Sequence, residues 1–383
     1  QKMMTASPIM TSKIKRYLGY TALIVTICWF FISIYIRNVD VSADVERNFI
    51  SQGVSASTNC YSIDFDGRLG NLMFEYALLV GICSKKHASR NSCAVINNPY
   101  INTIYLPVQN FVRGFNIPNS QVGCNLNSSN IYQEHEDRGS YFFNENVFHQ
   151  PSGITYSGYF QSWKYFHHAQ TEIRESFQFS SHAEKASMEF IQNIHKNIQS
   201  PIPVTIVGVH VRLGDKISKN ITIHSYNPWS LSRQYYEKAI KLVQDRRKGS
   251  QSSVAFVFFT GGALKKDKAL RDNDWTKQNI GNKLPSERVF YENSGDEFVA
   301  MRTMMHCDVI IVAHSSFSWW AAYLSNSMEI IAPRDIYPAN SIHFVEVDDV
   351  YPPWWSLLAQ NTSLDRIVGY NPYLKSSKDD IVW

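Results

Sequence analysis

An α/β protein with mostly parallel sheets, divided into two domains behind one N-terminal membrane helix, is what this sequence predicts, and three observations carry the prediction. Continuous apolar runs, among them the β-branched Val204 to Val211 and the similarly apolar Val254 to Thr260, alternate with stretches of helical periodicity. That is the pattern of strands buried on both faces and joined by crossover helices. Tyr17 to Ile36 is 20 residues without a charge, enough at about 1.5 Å per residue to cross a hydrocarbon core of about 30 Å. The 383 residues, 44% hydrophobic and 18% charged, suffice for two domains of about 150 residues each and are too apolar to stay unfolded. Net charge is only +4, and no basic block interleaves with aromatics, which excludes nucleic acid as the expected partner.

Lys2, Lys13, Lys15 and Arg16 precede the apolar run, whereas Arg37 is offset by Asp40 and Asp44. The positive-inside rule then gives a cytoplasmic tail (1–16), a signal anchor (17–36), a polar stalk (37–58) and an exported body. The alternative is a cleaved signal peptide ending at Val41-Ser42-Ala43, but such apolar regions are usually about 7–15 residues, shorter than this one. Glycosylation tripeptides begin at Asn127, Asn220 and Asn361 and agree with export. Beyond Cys28 in the span, Cys60, Cys83, Cys93, Cys124 and Cys307 form an odd set in a compartment that permits disulfides. The four from 60 to 124 suffice for two bridges of open pairing, and Cys307, in an apolar run, is the expected buried leftover. No CxxC or HExxH spacing supports zinc.

The fold is expected to begin near Cys60. Cys60 to Phe65 alternates like a strand, Gly67 and Gly70 mark a turn, and Leu72, Tyr76, Leu79, Val80 and Cys83 recur at helical spacing. Residues 91–160 read as loops and short elements. After Val204 to Val211 come a polar loop and a helix carrying Leu231, Tyr235, Ala239, Ile240 and Val243 on one face. Further strands are expected at Val254 to Thr260, Val309 to Ala313 and Ile330 to Ala332, with helices at Asp296 to Met305 and Phe317 to Leu324. Pro201 and Pro203 divide an N-terminal domain (59–200) from a C-terminal one (201–358), with a tail at 359–383.

Ligands of parallel sheets bind beyond the carboxyl ends of the strands, which singles out the loops that follow the apolar runs. In His210-Val211-Arg212-Leu213-Gly214-Asp215, His210 and Arg212 share one side of the strand. Arg212 can clamp a phosphate by paired charge-assisted bonds, or form an ion pair with Asp215 that ties down the turn; His210 alone reads more readily as a hydrogen-bonded core residue. Ser315 and Ser316 enter a helix whose positive end suits an anion, although a plain serine cap explains them too. Trp319 and Trp320 beyond them read as core. Ser294-Gly295-Asp296-Glu297 is a capping-box pattern, which gives Glu297 a structural role. Gly67-Arg68-Leu69-Gly70-Asn71 offers an amide to a sugar or simply a glycine turn. Thr260-Gly261-Gly262 lets backbone approach a ligand closely or merely turns the chain.

GRLGNLMFEYA at 67–77, VGVHVRLGD at 207–215 and AHSSFSWWAAYLS at 313–325 stand in the order and spacing of the alpha-1,2-fucosyltransferases. From about Cys60 to Trp355, including Tyr351-Pro352-Pro353-Trp354, the chain resembles that family, glycosyltransferase family 11. The resemblance implies a GT-B fold, two Rossmann-like domains facing a cleft, in a single-pass type II Golgi membrane enzyme with a lumenal catalytic domain. It implies metal-independent, inverting transfer of L-fucose from GDP-fucose to the 2-hydroxyl of a terminal galactose on glycoprotein or glycolipid glycans. Arg212 matches the arginine that stabilises the donor's β-phosphate, His210 and Asp215 complete that motif, and Arg212 and Asp215 are the catalytic expectations. Ser315, Ser316, Gly261 and His210 fall on the donor side, and Asn71 is carried over as a sugar-side contact.

Three departures stand out. Leu213 occupies the place of a usual second arginine, His314 that of a common asparagine, and Phe259-Thr260-Gly261-Gly262 that of an acidic run. Asp66 is a possible acid-base residue or a cap of its turn, and the base stays unassigned. A fucosyltransferase of another linkage, or a catalytically silent membrane-anchored carbohydrate-binding protein, is the alternative that these departures feed; retained Arg212 opposes the second.

Overall fold

A computed structural model describes residues 60–88, 93–96, 108–115, 117, 130–134, 140–212, 231–249, 252–261, 266–334, 346–359 and 381–382. The expected tail, membrane span and stalk (1–58), Leu213, Asp215, Gly262 and the acceptors Asn127, Asn220 and Asn361 lie outside these residues. No helix among the described residues is long and apolar enough to cross a membrane. Those residues belong to one compact unit, Ser57–Trp383.

The unit contains two sheets. β1 (Tyr61–Asp64), β2 (Ala94–Val95), β3 (Ile131–Gln133) and β4 (Thr155–Ser157) form a parallel sheet in the order β2-β1-β4-β3. β5 (Val204–Val211), β6 (Ser253–Thr260), β7 (Val289–Glu292), β8 (Val309–Ile311), β9 (Glu329–Pro333), β10 (Ser356–Leu358) and β11 (Ile381–Val382) form the second, in the order β11-β10-β9-β8-β5-β6-β7. Its pairings are parallel except for β10 with β11, which is antiparallel. The alternation of strands and helices is therefore realised as parallel sheets. The 91–160 region supplies three short strands that complete the first sheet.

Strand periodicity sorts the second sheet's side chains into two layers. Ala255, Val257 and Phe259 face a core shared with the first sheet's elements, while Phe256 and Phe258, with Val207, Val209 and Val211, meet Tyr235, Tyr236, Ala239 and Val243 of the Arg233–Arg247 helix. The Leu69–Lys85 helix is buried along most of its length, as befits a sequence apolar on nearly every side. It packs against the Ser316–Leu324 helix: the Phe74 ring lies 4.6 Å from Trp319 and 5.0 Å from Trp320. Both tryptophans are core, as their apolar setting predicts, and truncating either to alanine costs on the order of 3–5 kcal/mol. Gly70 makes the approach possible, since a Cβ there would stand 2.5 Å from the Ser316 carbonyl carbon.

Cys83 is bonded to Cys93, Cys60 is disulfide-bonded as well, and Cys307 is free and buried, the leftover that the odd count required. Two readings change. The Ser181–Ile198 helix was not visible in the sequence because only Ala183, Ser187 and Ile194 of it are buried. The helix at Glu297–Met305 is capped by Asp296, whose Oδ1 accepts from the Phe298 and Val299 amides at 2.8 and 3.2 Å. Ser294 is not the cap, and Glu297, placed at the first helical position, is not the far half of a capping box.

Candidate active site

Carboxyl ends of second-sheet strands and the start of the helix that follows β1 converge on a cleft of about 970 Å³. The second sheet supplies His210 near the end of β5 and Arg212 just past it, Thr260 at the end of β6 and Gly261 past it, Glu292 and Asn293 at β7, and Ser315, Ser316 and Phe317 after β8. Arg68, Leu69 and Gly70 at the start of the first helix, with Asn110 and Arg113 of the Val108–Gly114 helix, line it from the other side. Strand ends and helix starts meet here because parallel connections leave their loops at this edge.

Arg212 and Ser315, apart by 103 residues, are joined by an Nη1–H to Oγ hydrogen bond of 3.3 Å. Ser315 is the N-terminal flank of the Ser316–Leu324 helix, yet its hydroxyl makes no capping bond. Ser318 instead ties the loop to the helix, its Oγ accepting from the Ala313 amide at 3.2 Å and donating to the Ser315 carbonyl at 3.4 Å. The plain serine-cap reading of Ser315 is thus replaced by a guanidinium-held hydroxyl at the cleft wall. A fixed arginine beside a helix start is an anion site, since guanidinium charge and helix dipole act on the same point.

His210 is 6% exposed, its ring 5.5 Å from that of Phe317, and its Nδ1 has no hydrogen-bond partner among the described residues. Burial, with the Arg212 charge beside it, pushes its pKa down to about 3, so at neutral pH it is a neutral imidazole. Gly261 adopts φ +124, a conformation that disfavours any side chain, and a Cβ there would meet nothing within 4 Å. Backbone is therefore open to a ligand at that point.

Asn71 is not among the lining residues. Its Oδ1 accepts from Ser316 Oγ at 2.8 Å and from Gln161 Nε2 at 2.9 Å, so it stands behind the wall and steadies Ser316. Asp66 is exposed and also outside the lining; its Oδ2 accepts from the Tyr159 hydroxyl at 3.0 Å. Its amide donates to both oxygens of Glu75 at 3.2 Å. Glu75 is 0% exposed, and burial raises its pKa well above the ordinary value, with Asp66, Glu134 and Asp64 adding to the rise against the Asp66 amide.

Sequence reasoning missed the acidic wall of the cleft, Glu292, Asp296 and Glu297. Burial raises Glu292, opposed by bonds from Ser294, whose amide lies 2.8 Å from Oε1. Desolvation also raises Glu297; Asp296 adds to the shift and Arg68 across the cleft opposes it. The capping-box spelling hid Glu297, and Glu292 carried only the signal of standing at a strand's carboxyl end. The cleft thus has a basic clamp at Arg212 and Ser315 and a carboxylate wall able to accept hydrogen bonds from a ligand's N–H or hydroxyl groups.

A family model described as Glycosyl transferase family 11 matches residues 31–359. Galactoside alpha-(1,2)-fucosyltransferase 2 of Rattus norvegicus is 27% identical over 289 residues, 74% of this chain and 72% of the relative. Galactoside 2-alpha-L-fucosyltransferase Sec1 of Mus musculus is 24% identical over 313 residues, 81% of this chain and 76% of the relative. Among solved structures, E. coli ADP-heptose lps heptosyltransferase II aligns over 79% of this chain and 89% of its own at 10% identity, with a TM-score of 0.37, too low to argue from.

Proposed function

The chain belongs to glycosyltransferase family 11, and from that premise we propose that it transfers L-fucose from GDP-fucose to the 2-hydroxyl of a terminal galactose on a glycan. The names of its relatives state the galactoside and the α-(1,2) linkage. The observation that carries the reading is the Arg212–Ser315 pair at 3.3 Å on the wall of the cleft, where a departing diphosphate would meet fixed positive charge.

The displacement is single and inverting. The acceptor oxygen bonds to the sugar's anomeric carbon, the bond from that carbon to the β-phosphate oxygen breaks with its electron pair staying on phosphate, and the hydroxyl proton leaves to a base. Charge on the diphosphate is the quantity the protein must stabilise, and preorganised donors in a water-poor cleft do this best. Arg212 and the start of the Ser316–Leu324 helix supply them, neutral His210 flanks Arg212, and Glu292 and Glu297 accept from the nucleoside's donors. A guanidinium in that place supplies the charge that a metal ion would otherwise bring, so the reaction is read as metal-independent.

Second-sheet strand ends and the start of the helix after β1 around one cleft, with two parallel sheets in the fold, support the GT-B arrangement. The apolar run at 17–36 and its charge asymmetry support a type II Golgi membrane protein with a lumenal body. The test is GDP release by the purified chain from GDP-fucose, with and without galactose-terminated acceptors and with chelator, followed by linkage analysis by NMR. Acceptor-dependent release that survives chelation, with fucose on the galactose 2-hydroxyl, is expected. Tight donor binding without acceptor-dependent release would sink the enzymatic reading in favour of a silent binding protein.

A further inference from the structure

Trp163, His167 and Trp354 form an aromatic cluster that does not line the cleft. Ring centroids lie 4.8 Å apart for Trp163 and His167, 5.6 Å for Trp163 and Trp354, and 5.3 Å for His167 and Trp354. Trp354 is 52% exposed, whereas its neighbours Trp319, Trp320 and Trp355 in the shared core are buried. The mount is rigid. Trp163 Nε1 donates to the Asp348 carbonyl at 2.8 Å, Ser162 Oγ to the Asp349 carbonyl at 2.5 Å, and Lys164 pairs with Asp349 at 2.6 Å.

A half-buried carboxylate stands at the same place. Asp348 follows from Trp163 through that carbonyl bond, and its carboxyl oxygens have no hydrogen-bond partner among the described residues. Burial raises its pKa to about 6, Lys164 opposing and Asp349 and Glu346 adding. With no donor upon them among the described residues, those oxygens are open to solvent and free to accept from a ligand's hydroxyl groups. His167 adds a ring nitrogen already engaged by Gln170 Nε2 at 2.7 Å and by the Tyr323 hydroxyl at 3.3 Å, so the ring is held in place.

An exposed aromatic face beside an unpaired acceptor matches a sugar, whose axial C–H groups form an apolar face and whose hydroxyls lie around the rim. A stable protein partner needs about 800 Å² per side, far more than one exposed indole offers, so the patch is sized for a single ring. A hydrogen-bonded path links the same segment to the cleft: Gln161, two residues before Trp163, donates to Asn71, which accepts from the cleft residue Ser316. We propose that Trp163, His167 and Trp354 form a second sugar subsite that stacks one pyranose ring of an extended glycan acceptor, with Asp348 accepting from its hydroxyls. This rests on the glycan-acceptor reading above.

The test compares the full chain with Trp354→Ala and Trp354→Phe, using a linear tetrasaccharide ending in β-galactose and, separately, methyl β-galactoside. Equilibrium binding of the tetrasaccharide, followed by isothermal titration calorimetry with the cleft saturated by GDP, is measured beside transfer kinetics. Trp354→Ala is expected to weaken tetrasaccharide binding and raise its KM about tenfold, the scale of one lost ring contact. Its kcat and the KM for methyl β-galactoside should hold, and Trp354→Phe should recover part of the loss. Unchanged tetrasaccharide binding in Trp354→Ala, or an equal loss on both acceptors, overturns the subsite. If the wild type transfers no fucose yet binds the tetrasaccharide and Trp354→Ala does not, the transfer reading fails and the subsite stands.

Discussion

Ser316 donates its hydroxyl proton to Asn71 Oδ1 across 2.8 Å and 245 residues of sequence, so the helix that begins at the anion clamp is tied directly to the helix that follows β1. Gln161 shares the same oxygen. Asn71→Ala would strand two donors at once, and a buried donor left without a partner costs roughly 1–3 kcal/mol. Lower stability in urea and weaker GDP affinity are expected together. Full stability with weakened GDP binding would instead make Asn71 a direct ligand contact.

Gly70 lies against the same junction. Alanine there places its Cβ 2.5 Å from the Ser316 carbonyl carbon and 2.6 Å from the Phe317 nitrogen. Both are backbone atoms at a helix start, which cannot swing aside as a flexible side chain can. Overpacking of this kind costs about 1–3 kcal/mol. Gly70→Ala should lower the Tm and, by moving Ser316, reduce transfer more than its stability loss accounts for; wild-type turnover in a folded Gly70→Ala would show that the junction tolerates separation.

Arg212 separates charge from geometry. Arg212→Lys keeps the cation but loses the planar fork, and Arg212→Ala loses both. Loss of a transition-state donor costs about 10²–10³ in kcat, so alanine should abolish measurable transfer with the fold retained, and lysine should fall between. Leu213→Arg, which restores the residue usual in the family, is expected to tighten donor binding. Calorimetry with GDP and single-turnover kinetics check both, and unaltered turnover in Arg212→Ala would remove that residue from the mechanism.

How much of this was legible depends on whether a residue's fate is local. The Val204 to Val211 run announced itself because all but its first residue are buried, and the Leu69–Lys85 helix because nearly every face of it is covered. Ala94–Val95 and Ile131–Gln133, short and without a longer apolar run around them, carry too little pattern to be told from loops, since tertiary pairing decides them. At the site, Arg212 and Ser315 could be picked out separately as strand-end residues, but not as partners. Glu292 and Glu297 became site residues only when β7 and the Glu297–Met305 helix brought them to the cleft that Arg68 also lines. Chain spacing cannot report a neighbour more than two hundred residues away, which is why Asn71 was expected to touch a sugar and is found bracing Ser316.

The titrating groups of the interior predict how stability depends on pH, through two residues of opposite sense. Burial raises Glu134 from its ordinary 4.5 to about 7, against hydrogen bonds from the Tyr159 and Phe160 amides at 2.7 and 2.8 Å and from the Ser140 side chain. A carboxyl whose folded pKa is raised contributes stability that is complete below its unfolded pKa and is lost as pH rises through the folded one. Burial, then Arg212, lowers His210 from 6.5 to about 3; its contribution is complete above the unfolded pKa and is lost as pH falls through the folded one. Each residue accounts for about one proton, and their windows overlap between the ordinary carboxyl and imidazole values. There the two slopes oppose one another, while Glu75, raised in the same sense as Glu134, adds to the decline toward pH 7; the decline toward pH 3 carries the contribution of His210. Urea unfolding from pH 3 to 8 measures the profile. Glu134→Gln should flatten the neutral limb and His210→Gln the acidic one; a Glu134→Gln profile that still declines toward pH 7 like the wild type would assign that limb to Glu75, the other buried carboxyl of the cluster.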